Sequence, residues 1–324
     1  MEKEWLTPHE AAKLLGYTDY SCINKLKHKK GVRTKQGHRK KTDLLYNRRD
    51  LLEAHEKLNH RAVNNRYIEF PQFNTWRRLQ APQIILADAH CPFFDWELAE
   101  QLLRTRDKYK VGNLIFAGDF LNCAAQSSFY SMFPIPWKDE KAAARSVVKW
   151  AVDEFDSILF LTANHELRYM RMLNSQYSPG VVKNDEGHNL DVWEVLFSRS
   201  MLADLDCDMD TLNKIQFSIY PYCDVGERWR IVHPSSYRKV PLSMGRELCN
   251  IYGKSIVMAH AHMSAQAPAP NPKFTLIDTG IFASPSYFDY KNLKLTTHYQ
   301  WSESYTVILD DQWGQVIMRG SPFI

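Results

Sequence analysis

Five short apolar runs, each closing on polar residues able to bind a metal ion, constrain this chain more than any other feature of its sequence. Ile84-Ile85-Leu86-Ala87 runs into Asp88-Ala89-His90, Asn113–Ala117 into Gly118-Asp119, and Ser157–Leu161 into Thr162-Ala163-Asn164-His165-Glu166. Trp229-Arg230-Ile231-Val232 runs into His233, and Ser255–Ala259 into His260-Ala261-His262. Runs of this length and content read as buried strands. Helical stretches from Trp96 to about Arg106 and from Lys141 to about Phe155 separate several of them. The alternation predicts layered α/β structure, in which loops at the carboxyl ends of strands build the site. Side chains far apart in sequence then converge.

The donor types narrow the chemistry. Carboxylate, amide and imidazole together suit hard-to-borderline divalent ions such as Mn²⁺, Fe or Zn²⁺. The lack of thiolate donors argues against a purely structural zinc. Cys22, Cys91, Cys123, Cys207, Cys223 and Cys249 lie far apart with no C-x-x-C pair, so they read as reduced, mostly buried thiols. A carboxylate between two half-sites can bridge two ions about 3.5–4 Å apart and hold a hydroxide between them, which is hydrolytic chemistry. A lone Asp-x-His or a lone histidine more often caps a helix or satisfies a core hydrogen bond. The order of all five pieces carries the inference.

That ordered set, D-x-H, G-D, N-H-E, H and H-x-H, resembles the signature of calcineurin-like metallophosphoesterases over roughly residues 84–290. The resemblance implies an α/β fold, a four-layer β-sandwich flanked by helices, and a phosphoesterase using two divalent ions, Mn²⁺ foremost. On matching positions, Asp88, His90 and His262 would hold one ion, Asn164, His233 and His260 the other, and Asp119 would bridge both. The implied catalytic residues are Asp119, Asn164 and His165. A metal-bridging hydroxide would attack phosphorus while His165 protonates or stabilises the leaving oxygen. Asn122 and Arg168 are candidate substrate contacts. Two positions depart from the family pattern, Ala163 and Ala259, where glycine is usual; a positive φ at either would strain the loop.

The amino terminus carries a different signal. Between Asn24 and Arg49 eleven basic residues face one acid, a segment of +10 in a chain of net charge +4, which leaves −6 on the remainder. Such asymmetry suggests a footprint for a polyanion. Thr7-Pro8-His9-Glu10 reads as a helix start with a cap, a first-turn proline and a capping box. Ala11, Ala12, Leu14 and Leu15 supply its apolar face, and Gly16 suits its end. A second short helix is predicted from Ser21 to about Lys29, then a basic hairpin over Gly31–Lys41 with Leu44-Leu45-Tyr46, then a further helix. This order resembles the winged helix-turn-helix of excisionases over roughly residues 5–58. It implies DNA as partner, with Lys25, Lys27, Arg33, Lys35, Arg39, Lys40 and Lys41 as contacts. A protein-docking helical unit is the other reading.

The expected organisation is a winged module over 1–58, a connecting segment over 59–82 and the phosphoesterase domain over 83–324. The stretch from Leu167 to Gln216, with the acidic run Asp204–Asp210, breaks the α/β rhythm and reads as an insertion shaping a cleft. Tyr305–Leu309 and Gln315–Met318 around Asp310–Gly314 read as a closing hairpin. A charged start and the lack of a long apolar run predict a cytoplasmic protein with no membrane partner. The pairing of an excisionase-like module with a compact phosphoesterase resembles products of tailed-phage genes. Three functions fit: a nuclease or nucleic-acid phosphatase, a phosphatase of proteins or small molecules with a docking module, and a DNA-binding regulator with an inactive phosphoesterase domain.

Overall fold

The computed structural model describes residues 3–15, 23, 32–36, 44–54, 76–127, 135–169, 171, 213–288 and 301–322. The chain divides into an amino-terminal unit, Met1–Phe73, and a carboxy-terminal unit, Asn74–Ile324.

In the amino-terminal unit, α1 (Pro8–Leu14) starts on the predicted capping box: the Thr7 hydroxyl accepts from the Glu10 N–H at 3.3 Å, and the Glu10 carboxylate accepts from the Thr7 N–H at 2.9 Å. Ala11, Ala12 and Leu15 are buried, whereas Leu14, read as part of the apolar face, is 36% exposed. The i, i+4 row from Ala11 to Leu15, with Ala12 beside it, already meets the core. β1 (Trp5–Leu6), β2 (Thr34–Gln36) and β3 (Leu44–Asn47) form an antiparallel sheet of order β1-β3-β2, and residues 48–54 are helical. One cluster, including Leu6, Ala11, Ile23, Val32, Tyr46 and Leu51, ties these elements together.

Several sequence expectations for this unit, Lys25, Lys27, Arg39, Lys40, Lys41 and most of the second helix, lie outside the described residues; Ile23 alone of that helix is described, helical and buried. Arg33 and Lys35 both have partners. Arg33 grips Asp50 through Nε at 2.7 Å and Nη2 at 2.9 Å, and Lys35 Nζ stands 4.4 Å from the centre of the Trp5 ring. Arg33 thus fastens the strand region to the following helix.

The carboxy-terminal unit is mixed α/β. β5 (Gln83–Leu86), β6 (Asn113–Phe116), β7 (Ser157–Leu161) and β8 (Ile215–Ser218) run parallel. The predicted hairpin, β14 (Ser304–Ile308) with β15 (Gly314–Met318), adds antiparallel to β5, giving the order β15-β14-β5-β6-β7-β8. In the second sheet β10 (Trp229–Val232), β11 (Ser255–Met258) and β13 (Thr275–Thr279) are parallel. β9 (Tyr222–Val225) and β12 (Ser264–Pro268) flank them antiparallel, and β4 (Arg78–Leu79) closes the edge beside β9. The order is β12-β13-β11-β10-β9-β4.

β5, β6, β7, β10, β11, β13 and β14 bury both faces, which is why the sequence shows continuous apolar runs there rather than alternation. Ile85, Ile115, Leu159 and Leu161 of the first sheet meet Val225, Trp229, Ile231, Val257 and Ile277 of the second in one apolar layer. On the outer face of the first sheet, Ile84, Leu86, Phe116 and Phe160 pack against Leu98 and Leu102 of α2 (Trp96–Tyr109) and Val147, Val148 and Ala151 of α3 (Trp137–Glu154). On the outer face of the second, Ile256, Met258 and Leu276 meet Cys249 of α4 (Ser243–Tyr252). Cys91, Cys123, Cys223 and Cys249 are free and buried. Among the described residues no helix is long and apolar enough to cross a membrane.

Residues 76–82, read from sequence as the end of a connecting segment, are built into this unit. β4 pairs with β9, and Trp76 Nε1 donates to Asp224 at 2.9 Å. A two-residue strand leaves no periodicity to read. Asp224 also accepts from Arg230 Nε at 2.7 Å and Nη2 at 3.0 Å, and pairs with Lys254 at 3.1 Å. The Arg230 guanidinium, in a residue only 7% exposed, lies over the rings of Trp76, Tyr222 and Tyr252. Asp224→Ala would leave that charge buried without its carboxylate. We expect a loss of about 3–5 kcal/mol in urea unfolding, and a much smaller loss when Arg230→Met and Asp224→Leu are combined.

Candidate metal centre

The polar residues that follow β5, β6, β7, β10 and β11 meet at one end of the two facing sheets. Turning the chain abruptly after β5, β6 and β11 requires unusual backbone. Asp88 (φ 55), His90 (φ 41), Asp119 (φ 48), His260 (φ 73) and His262 (φ 58) all take left-handed conformations, each costing on the order of 1–3 kcal/mol unless its surroundings hold it. Neither Ala163 nor Ala259 has positive φ, so the two departures from the family's glycines carry no such strain. Gly118 (φ 88) does need to be glycine: a Cβ there would lie 2.5 Å from the Ala163 Cβ and 2.7 Å from His233 Nδ1.

Asp88 and Asp119 are fully buried at the centre. Asp88 Oδ1 is 3.1 Å from His262 Nε2 and 3.8 Å from His90 Nε2, and His90 and His262 approach to 3.3 Å through their Nε2 atoms. Asp88 Oδ2 accepts from the His260 N–H at 3.0 Å. Asp119 Oδ1 accepts from the His165 N–H at 3.0 Å, while its Oδ2 stands 3.3 Å from His233 Nε2 and 4.0 Å from His260 Nδ1. Three groups have ligand atoms close enough to share an ion: Asp88, Asp119, His233 and His260; Asp88, His90 and His262; and His90, Asp119 and His165. Both carboxylates are shared between groups.

The chemistry of these groups fits a divalent ion. Asn164 Oδ1 is buried and accepts no hydrogen bond, a cost of about 1–3 kcal/mol, and Asp119 Oδ2, also buried, faces His233 Nε2 at 3.3 Å. His233 donates Nδ1–H to the Ala117 carbonyl at 2.8 Å, which turns Nε2 toward Asp119, the arrangement that prepares an imidazole to ligate. Burial opposes charge on His233, but Asp119 and Asp88 outweigh it and hold its pKa up to about 9. Burial likewise pushes Asp88 upward, yet His262 and His233 hold it down to about 2.

The loop after Asp119 is pinned by two buried carboxylates. Glu166 accepts from the Leu121 N–H at 3.1 Å and the Ala163 N–H at 3.0 Å, and Glu140 accepts from the Cys123 N–H at 2.5 Å. Burial raises both to a pKa of about 7. The pinned loop presents the Asn122 carbonyl, which accepts from His165 Nδ1–H at 2.7 Å and Arg168 Nη1 at 3.2 Å. Arg168 Nη2 in turn donates to His165 Nε2 at 2.7 Å. Burial, reinforced by Arg168, holds His165 down to about 4 despite Asp119, so its ring is neutral at pH 7.

All ten site positions chosen from sequence in this unit are described, and Asp88, His90, Asp119, His165, His233, His260 and His262 enter the three ligand groups. Asn164 immediately precedes His165, whose main-chain N–H donates to Asp119, and its own side-chain oxygen is buried. Asn122 contributes its main-chain carbonyl. Sequence reasoning missed Glu140, which in a first helical turn reads as an ordinary favourable interaction with the helix dipole. The insertion's acidic run, Asp204–Asp210, lies outside the described residues. A cavity of about 650 Å³ opens near Lys254 and Arg230, away from these residues, and both of those cations already pair with Asp224 in its lining. Neither protein-family models nor curated proteins match this chain.

With a pKa near 9, His233 carries a proton on Nε2 in the metal-free protein at neutral pH, and an ion taking that nitrogen must displace it. Affinity for Mn²⁺ should therefore rise with pH, by about tenfold per unit, until it levels near pH 9. Calorimetry at neutral pH in buffers of different ionisation enthalpy should report about one proton released on binding, and none from this position in His233→Gln. A binding enthalpy independent of the buffer would contradict the assignment.

Proposed function

We propose that the carboxy-terminal unit is a dinuclear-metal phosphoesterase of the calcineurin-like type, acting on nucleic acid as a nuclease or nucleic-acid phosphatase. One observation carries the reading: two shared, fully buried carboxylates, Asp88 and Asp119, lie among the imidazoles of His90, His165, His233, His260 and His262. Asp88, His90 and His262 would hold one ion, Asn164, His233 and His260 the other, and Asp119 both. Mn²⁺ is the ion proposed, with Fe and Zn²⁺ as alternatives. When bound, such ions polarise phosphoryl oxygens and lower the pKa of water.

The chain's own residues supply the rest. Asp88 and Asp119 keep their negative charge in a buried setting, so the centre remains attractive to cations. His165 is fixed on one side by the Asn122 carbonyl and on the other by Arg168. Being neutral, it serves the leaving group by orienting Arg168, whose guanidinium brings a permanent charge and N–H donors to a phosphate. Nucleic acid as substrate rests on the basic amino-terminal segment, proposed as a winged helix-turn-helix on DNA. A rival reading, a phosphatase of proteins or small molecules with a docking module, gains from Arg33: its guanidinium is committed to Asp50 rather than offered to a phosphate.

The test is Mn²⁺-dependent hydrolysis of labelled single- and double-stranded DNA. Asp119→Asn should abolish cleavage, and Arg168→Met should lower kcat by about 10²–10³-fold with bound metal unchanged, Arg168→Lys recovering part of the loss. Hydrolysis of phosphomonoesters with DNA left intact would select the rival reading. Failure to cleave any phosphate ester with Mn²⁺, Fe or Zn²⁺ would overturn both.

A further inference from the structure

Beside the candidate centre, aromatic rings lead in contact from a ligand histidine to solvent. The His90 ring meets Phe288 edge-on at 5.4 Å, Phe288 meets Phe93 at 4.8 Å, and Phe93 lies nearly parallel to Tyr287, 14° apart in plane with centroids 6.1 Å apart. Burial falls along the same path: Phe288 is 2% exposed, Phe93 is half-buried, and Tyr287 is 66% exposed. The path is tied to the site by main chain as well. The Phe93 N–H donates to the His90 carbonyl at 3.0 Å, and the Ser284 N–H, one residue before the turn Pro285–Tyr287, donates to the Phe93 carbonyl at 2.9 Å. The exposed tyrosine is therefore held at a set place relative to His90.

A large ring left two-thirds exposed, stacked on a second ring and continuous with a phosphoester site, is a preformed platform for a flat aromatic group. We infer that Tyr287 on Phe93 binds an unpaired nucleobase of the substrate, so that the site takes single-stranded nucleic acid with the base beside the scissile phosphate on this shelf. The inference rests on the phosphoesterase reading above and names the substrate form that reading leaves open. Every base has a π face, so such a shelf serves without regard to sequence. Inside a duplex both faces of a base are already covered by its neighbours, and the shelf has nothing to hold. Phosphate alone gains nothing from it either. The interaction therefore separates single strands from duplexes and bases from bare backbone.

The experiment uses the full chain with Mn²⁺ and three substrates: a short single-stranded oligonucleotide, the same backbone with abasic residues, and a stable duplex of the same sequence, with products resolved by chromatography. Wild type should show the lowest KM for the base-bearing single strand. Tyr287→Ala should raise that KM by about tenfold to a hundredfold, the span expected for one stacked base, with kcat little changed and the abasic KM unmoved. Tyr287→Phe, which keeps the ring, should behave as wild type. If Tyr287→Ala leaves the preference for base-bearing over abasic substrate intact, the stacking inference is wrong while the phosphoesterase reading stands. If wild type cleaves none of the three, the phosphoesterase reading fails on nucleic acid and takes this inference with it.

Discussion

Two carboxylates buried without solvent, Asp88 and Asp119, govern the rest of the structure. Burial by itself would drive each to take up a proton, yet His262 and His233 hold Asp88 charged, and His233 together with the main-chain N–H of His165 does the same for Asp119. A buried anion is tolerable only where cations and donors surround it. Here they come from loops after strands in both sheets, so the two sheets must end together. Main-chain donors complete the enclosure, the His260 N–H on Asp88 and the His165 N–H on Asp119. The left-handed backbone at five of these positions is what aiming so many side chains and N–H groups at two points requires.

The layers behind the site supply the rigidity that such backbone needs. The apolar layer between the sheets fixes the spacing of β5, β6 and β7 against β10 and β11, and α2, α3 and α4 cover the outer faces. Glu140 and Glu166 carry this order forward by holding the loop after Asp119 through its N–H groups. His165 and Arg168 then take their places against the carbonyl of Asn122. Catalysis by positioned charge depends on such preorganisation, because groups already in place need not be reorganised during reaction.

Much of this was legible in the sequence. Strands buried on both faces announce themselves as apolar runs, the turn residues that end them are the site, and a capping box such as Thr7 with Glu10 is local chemistry. What could not be read depends on partners distant in the chain. β4 exists because β9 offers it an edge and Asp224 offers Trp76 an acceptor. Arg33 reads as one more cation in a basic run, but Asp50 claims it seventeen residues later. Glu140 becomes a loop anchor only when the chain after Asp119 folds over the start of α3. The neutrality of His165 follows from burial and from Arg168, neither of which its motif discloses.

Whether residues from five strand ends form one dinuclear centre is tested by anomalous diffraction from crystals of the full chain grown or soaked with Mn²⁺. Two anomalous peaks about 3.5–4 Å apart, with Asp119 between them, Asp88, His90 and His262 around one and Asn164, His233 and His260 around the other, are the expected result. A protein that crystallises with these side chains in place and shows no peak among them would contradict it.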